Sequence, residues 1–203
     1  MRKIVIDPRV IKHLGRDLIT SPEVAVIELL KNSIDAKAKN INLRLYNGLS
    51  SNELFPAHVR DIIPKQYHHS PMLIVEDDGC GMNDATLDDG FLKIATDIKS
   101  NEEGTLGEKG IGRLATQRLG TALLVETSSD KENHTSYVFI DWNDVINGTE
   151  EVPSFEGTVT SHHTRLIIFN VNLEDFIDNA MQFEQLSLDT TVFQVQINRE
   201  LKS

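Results

Sequence analysis

The run Glu28-Leu29-Leu30-Lys31-Asn32-Ser33-Ile34-Asp35-Ala36 reads as the later part of a helix. Upstream, Ser21 is a suitable N-cap, Pro22 fits the first helical position and Glu23 lies in the first turn, so the helix is expected to run from Ser21 to about Lys37. On it Glu28, Asn32 and Asp35 are spaced i, i+4 and i+7, which places them on one narrow stripe. Val26, Ile27, Leu30 and Ile34 lie on the other sides, so much of the helix is expected to be buried. A polar stripe on such a helix needs partners. A magnesium–phosphate group would supply them; so would water, if the stripe is simply the wet face of an amphipathic helix.

Working outward, Ile41–Tyr46 alternates apolar and polar residues, the pattern of a half-buried strand. Asn47–Pro71 is rich in turn formers and reads as an insertion. Met72–Glu76 reads as a buried strand leading into Asp77-Asp78-Gly79-Cys80-Gly81-Met82. A carboxylate at a strand end can accept a hydrogen bond from the amino group of adenine, and two glycines let the backbone turn tightly and approach a base. A plain turn after a strand also explains Asp-Asp-Gly, and taken alone the motif favours that reading. Asp84–Ile98 is expected to be helical, Ser100–Gly110 a glycine-rich loop, and Ile111–Leu119 a second helix.

That loop and helix share Gly107-Glu108-Lys109-Gly110-Ile111-Gly112-Arg113-Leu114-Ala115. Glycines ahead of a helix start present backbone N–H groups to an anion, the helix dipole adds to the attraction, and Lys109 adds a charge. Gly110–Ala115 also fits the dinucleotide fingerprint G-x-G-x-x-A. That fingerprint requires a buried strand directly before its first glycine. Asn101–Lys109 is polar and holds no such strand, which argues against a Rossmann oxidoreductase.

The remaining chain supplies strands at Ala122–Thr127, Ser136–Trp142, Arg165–Val171 and Thr191–Asn198, a helix at Leu173–Leu186, and near the start a strand at Ile4–Asp7 and a short helix at Val10–Leu18. Strands joined by short links, with helices gathered early, predict an α+β sandwich: one mixed sheet with helices packed on one face.

Composition narrows the function classes. The chain has 203 residues, 39% hydrophobic and 25% charged, ordinary values for a folded protein. Its formal net charge of −11 disfavours direct nucleic acid binding, which needs clustered Lys and Arg. Cys80 is the single cysteine, so neither an intrachain disulfide nor a multi-cysteine zinc site can form. The apolar runs are too short to span a membrane and the N-terminus lacks a signal-peptide core, so a cytoplasmic location and no membrane contact are expected.

Taken in order, Glu-x-x-x-Asn-x-x-Asp-Ala, Asp-x-Gly-x-Gly and Gly-x-x-Gly-x-Gly resemble the signature of the GHKL superfamily, shared by gyrase, the ninety-kilodalton heat-shock chaperones, sensor histidine kinases and the MutL proteins. The resemblance runs from about Ser21 to Val171. It implies a Bergerat-type ATP-binding sandwich formed by residues 1–203 as one domain, with ATP and Mg²⁺ as its ligands. Asn32 would ligate Mg²⁺ beside Asp35, and Glu28 would deprotonate the attacking water. Asp77, Gly79, Gly81 and Met82 would form the adenine site. Gly107, Lys109, Gly110, Ile111 and Gly112 would belong to a mobile lid over the phosphates.

Two shorter matches extend the resemblance. Ile94–Ser100 is similar to the family segment before the lid, implicating Thr96 and Lys99; an ordinary helix C-terminus explains it equally. A late Gly-Thr whose Thr assists the adenine Asp maps to Thr164, with His163 in place of the Gly; Gly157-Thr158 competes for the role. The resemblance implies slow Mg-dependent ATP hydrolysis driving lid closure and conformational change or homodimerisation on ATP binding. An ATP-sensing module without significant hydrolysis and a histidine-kinase-type phosphotransferase are the alternatives. Many family members continue into a transducer domain that contributes a lysine to the γ-phosphate. No such domain fits after Ser203, so the chain is expected to be the N-terminal fragment of a longer protein or to need a protein partner. Gly-x-x-Gly-x-Gly followed by Arg-Leu-Ala favours a chaperone-like ATPase branch, although repair, remodelling and defence systems use the same module.

Other conspicuous residues have plainer readings. His68-His69 and His162-His163 are expected at loops or the surface, since adjacent strand residues point to opposite faces. Cys80 is expected to fill a turn, and Asp88-Asp89-Gly90 to lie on a helix surface.

Overall fold

The computed structural model describes residues 1–6, 21–47, 54–94, 114–159, 161–177 and 194–201, the last eight and 176–177 by backbone alone. The helix Pro22–Asp35 (α1) forms as its sequence dictates. Ser21 is extended, at φ −150°, and its hydroxyl accepts the Val24 N–H at 3.4 Å. The helix stops where Lys37 enters the left-handed region, at φ 62°. The freed amides of Ala36, Lys37 and Ala38 then return to the carbonyls of Asn32, Ile34 and Ser33.

The strands are β1 (Arg2–Lys3), β2 (Val5–Ile6), β3 (Asn40–Asn47), β4 (Met72–Asp77), β5 (Lys93–Ile94), β6 (Ala122–Ser128), β7 (His134–Asp141), β8 (Glu151–Val152), β9 (Ser154–Thr158), β10 (His163–Phe169) and β11 (Gln194–Leu201). Among the described residues, seven of them form one mixed sheet in the order β11-β3-β4-β10-β6-β7-β9. β11 is parallel to β3 and every other pair is antiparallel. Short helices follow at Ala57–Arg60 (α2), Ala115–Leu119 (α3), Trp142–Ile146 (α4) and Glu174–Ile177 (α5).

Because strand side chains alternate between faces, two cores result. On the near face Leu43, Val75, Leu123, Val125 and Ile168 pack with Ala25, Val26, Leu29 and Leu30 of α1 and with α3. This is the expected α+β sandwich. On the far face Tyr46, Met72, Ile74, Leu124, Phe139 and Phe169 meet Phe55, Val59, Ile63 and Tyr67. The 54–70 segment, left as a turn-rich insertion by its sequence, thus caps the second face. It does so through α2 and a 3₁₀ turn at Lys65–Tyr67, with the Tyr67 ring 5.6 and 5.8 Å from those of Phe139 and Phe169.

The helix expected over Asp84–Ile98 is a correction. A single π-helical turn at Thr86–Phe91 is followed at once by β5, which pairs in parallel with β2. Gly90 and the parallel pairing of β5 end the helix early. The expected helix at Val10–Leu18 and the loop at Ser100–Gly110 lie outside the described residues. No helix among the described residues is long and apolar enough to cross a membrane.

Candidate nucleotide-binding site

At the end of the sheet where β4 finishes and β10 begins, the near face turns from apolar to polar. Asp77 on β4 stands opposite Thr164 on β10, which in turn stands opposite Thr127 on β6. Asp77 is only 6% exposed. Its Oδ2 accepts the Ser33 hydroxyl at 2.8 Å, and its Oδ1 accepts the Gly79 N–H at 2.9 Å. Burial raises its pKa; these two hydrogen bonds oppose that shift without cancelling it.

Asp77 faces a cavity of about 230 Å³ lined also by Leu29, Asn32 and Ser33 of α1, Gly81 and Met82 of the turn, Thr86 and Phe91 of the π-turn, and Thr164 and Leu166 of β10. Sites for whole drug-sized ligands begin at roughly 300 Å³. The cavity therefore matches a flat heterocyclic base better than an entire nucleotide. Apolar walls around one buried carboxylate are what a base with an exocyclic amino group requires.

The turn after β4 is shaped by two close approaches. A Cβ on Gly79 would lie 2.8 Å from the Ala36 carbonyl oxygen at the end of α1, and the Cys80 N–H donates to that same oxygen at 2.9 Å. Gly81 has φ +64°, and a Cβ there would fall 1.9 Å from the Ser128 carbonyl oxygen. Beyond it, the Met82 N–H donates to Thr127 Oγ1 at 2.8 Å, and Thr127 donates onward to the His163 carbonyl at 3.1 Å. Asp78 acts as a fastener: its Oδ1 accepts the Lys39 and Asn40 amides at 2.7 and 2.8 Å. Burial is the largest single influence on its pKa and pushes it up, but these bonds and one from the Asn40 side chain together leave it lowered.

Of the residues singled out by sequence, Asn32, Asp77, Gly81, Met82 and Thr164 come together around the cavity. Gly79 supports Asp77 from behind. Glu28 and Asp35 share the α1 stripe but do not line the cavity; Glu28 Oε1 lies 2.6 Å from Lys31 Nζ, and Asp35 is exposed. Between the two Gly-Thr candidates, the structure separates cleanly: Thr164 faces Asp77, whereas Gly157-Thr158 sits on the edge strand β9. Thr96, Lys99, Gly107, Lys109, Gly110, Ile111 and Gly112 lie outside the described residues. Cys80 lies in the turn, where its side chain is exposed rather than filling space.

Two contributors escaped the sequence reading. Ser33 follows Ala25 and Leu29 at i+4 intervals, a hydroxyl on the buried stripe of α1. Thr127 ends the near-face series Leu123, Val125, Thr127. Each is a lone polar group on an apolar face, and that was the available signal.

His163 is a second correction. It is buried, not superficial, because the far face of this sheet end carries an ion network rather than solvent. Its Nδ1 donates to the Ser161 carbonyl at 2.9 Å and its Nε2 to Glu126 at 3.0 Å, so the ring is held as the imidazolium. Arg165 also binds Glu126, at 3.2 Å, and Arg44 lies 3.3 Å from Glu76. The Glu126 hydrogen bond raises the His163 pKa over the opposing effect of burial. Burial pushes Glu126 up, but His163 and Arg165 leave it lowered. Tyr137, facing Glu126, is pushed up to about 12 by burial and by that carboxylate.

A pH dependence follows. The His163 contribution to stability is full below its ordinary value of 6.5 and is lost as pH rises through its raised folded pKa. The Glu126 contribution is full above 4.5 and is lost as pH falls through its lowered folded pKa. His163→Gln is therefore expected to cost about 1.5–3 kcal/mol between those two values. The deficit should shrink towards alkaline pH in urea unfolding followed across pH; a deficit independent of pH would contradict the imidazolium assignment.

Comparison with known proteins agrees with this geometry. A family model described as "Histidine kinase-, DNA gyrase B-, and HSP90-like ATPase" matches residues 19–171. The chain is also similar to the DNA mismatch repair protein MutL of Thermoanaerobacter sp. (strain X514), at 32% identity over 117 residues, covering 54% of this chain and 16% of that protein. The MutL of Thermoanaerobacter pseudethanolicus (strain ATCC 33223 / 39E) matches with the same identity and coverage. The aligned part thus spans about a sixth of the length of these relatives. The relatives carry mismatch-repair names, while the run behind the expected chaperone-like branch, Gly107–Ala115, falls almost wholly outside the described residues. The family match covers well over half of the chain and contains every cavity residue named above: the chain belongs to the histidine kinase-, DNA gyrase B- and HSP90-like ATPases, the GHKL superfamily.

Proposed function

We propose that the chain binds ATP with Mg²⁺ and hydrolyses it slowly, closing the lid that ends in Gly107, Gly110 and Gly112 over the phosphates and pairing two copies of the domain. The observation that carries this reading is the Asp77 carboxylate, buried at the floor of a base-sized apolar cavity and aimed by Ser33 and Gly79. Its free lone pairs accept the adenine amino group, and Thr164 assists from the facing strand. Gly81 lets the backbone close against the base.

From the base, the ribose and phosphates run along the exposed stripe of α1. The donors there suit a hard cation: the carboxamide oxygen of Asn32, with the Asp35 carboxylate one turn on. Bound there, Mg²⁺ supplies charge neutralisation at the phosphates. Glu28, one turn before Asn32, orients a water and takes its proton. Backbone amides of Gly107, Gly110 and Gly112, with Lys109, would hold the phosphate oxygens as charge develops on them.

The Glu28–Lys31 ion pair favours a second reading, in which the module binds ATP and barely turns it over. The pair is partly exposed, and such pairs are worth about 1 kcal/mol at most, so it is easily broken when a water arrives. Phosphate release decides between the readings. Glu28→Gln is expected to lower hydrolysis by about tenfold or more while leaving nucleotide affinity within about threefold. The parent rate per molecule should rise with protein concentration as domains pair. Phosphate release at background level by both parent and variant, with nucleotide still bound, would establish the sensing module instead; equal release above background would contradict the role of Glu28.

A further inference from the structure

Residues 1–6 tie together two parts of the molecule that are distant in sequence. β1 pairs antiparallel with β8, and β2 pairs in parallel with β5. Between them the Ile4 N–H donates to the Glu150 carbonyl at 2.8 Å and the Val5 N–H to the Leu92 carbonyl at 2.9 Å. From β1 the Arg2 side chain reaches across to the segment that walls the base cavity. Its Nη1 donates to both carboxylate oxygens of Asp88 at 2.8 Å, and its Nη2 to Asp84 at 2.5 Å and Ser136 Oγ at 3.0 Å. Glu156 of the edge strand lies 3.9 Å from Nη2, and the arginine side chain is only 11% exposed.

Asp84, His134 and Glu156 lie close enough together to suggest a metal site. The geometry gives that cluster a different cation, because the Arg2 guanidinium already reaches both of its carboxylates. A planar fork of N–H donors suits several carboxylates at once, which a lysine point charge does not.

The wall itself is slight. It is one π-helical turn, an irregular geometry that short helices seldom adopt without support. Leu87 and Leu92 anchor it to the near-face core, and Asn83 caps it through the Thr86 amide at 2.8 Å. Asp84 and Asp88 point outward to Arg2, while Thr86, Gly90 and Phe91 line the cavity. Loss of Arg2 would leave Asp84, Asp88 and Glu156 facing one another without their shared cation. Like charges then push the wall away from the sheet edge, and the cavity side moves with it.

We propose that Arg2 is a positioning residue for the nucleotide site: by holding Asp84 and Asp88 it sets the place of Thr86 and Phe91 against the base. This rests on the reading of the Asp77 cavity as the base pocket. Arg2 touches no nucleotide. Its effect falls on the base, so it is shared by every adenine nucleotide whatever its phosphates.

The test is titration of the full chain with ADP and with AMP-PNP and Mg²⁺. Arg2→Gln is expected to weaken both about tenfold while the protein stays folded by circular dichroism. Arg2→Lys should recover part of the loss, and Arg2→Gln combined with Asp84→Asn, which removes the stranded repulsion, should recover part as well. Asp88→Asn serves if Arg2→Gln does not fold, with an expected loss of about threefold. A folded Arg2→Gln protein, or failing that Asp88→Asn, with parental affinity overturns the inference and leaves the base pocket standing. A loss confined to AMP-PNP also overturns it, since the wall lines the base cavity. A parent that binds neither nucleotide sinks the base-pocket reading, and the inference falls with it.

Discussion

Gly81→Ala is expected to destabilise the protein by more than about 3 kcal/mol and to abolish nucleotide binding. Two penalties coincide at this residue. Its φ of +64° is left-handed backbone, and the added Cβ would lie 1.9 Å from the Ser128 carbonyl oxygen and 3.1 Å from that of His163. Neither neighbour can yield cheaply. Ser128 and His163 are paired ends of β6 and β10, and the next residue, Met82, is bolted to Thr127 by its amide. Gly148 supplies the control. Its φ is +98°, but nothing lies within 4 Å of the position a Cβ would take. Gly148→Ala should cost only the conformational penalty, about 1–2 kcal/mol. Urea unfolding of both variants measures the difference; equal losses would mean that the close approach at Gly81 relaxes freely.

Asp77→Asn is expected to move stability and binding in opposite directions. Burial raises the Asp77 pKa, so its contribution to stability is full below its ordinary value of 3.8 and is lost as pH rises through the raised folded value. At neutral pH the ionised carboxylate is then a cost to the fold. An amide keeps the acceptor for the Gly79 N–H and removes the charge, so the unliganded variant should be more stable by about 1 kcal/mol. For a ligand the same change is harmful, because the carboxylate offers only acceptors and the carboxamide presents a donor on one side. A variant that is both less stable and unable to bind would indicate simple loss of structure.

Part of the cavity lining was legible in sequence because helix period and strand period are rigid constraints. Ser21-Pro22-Glu23 located the start of α1 to the residue. The spacing of Glu28, Asn32 and Asp35 then fixed one stripe, and the apolar run Met72–Glu76 ending in Asp77 fixed the strand whose tip meets it. What sequence missed depends on contacts between distant segments. The four-residue apolar runs in β4, β6 and β10 are longer than a one-faced sheet needs and imply cover on both faces. The cover itself, residues 54–70, is too short and too interrupted by proline to declare its direction. His163 looked superficial because nothing local reveals Glu126, which β6 brings beside it and Arg165. The early end of the helix after Asp84 came from β2, more than eighty residues upstream, whose pairing with β5 outcompetes local helical preference.

The central claim is that the cavity at Asp77 takes the adenine of ATP, and calorimetric titration of parent and Asp77→Asn proteins with AMP-PNP and Mg²⁺ tests it most directly. The account predicts binding by the parent and a loss of about 100-fold in the variant, the scale of one hydrogen bond to a buried charge, with the variant at least as resistant to urea. Equal affinity in the two proteins, or no binding by a folded parent, would contradict it.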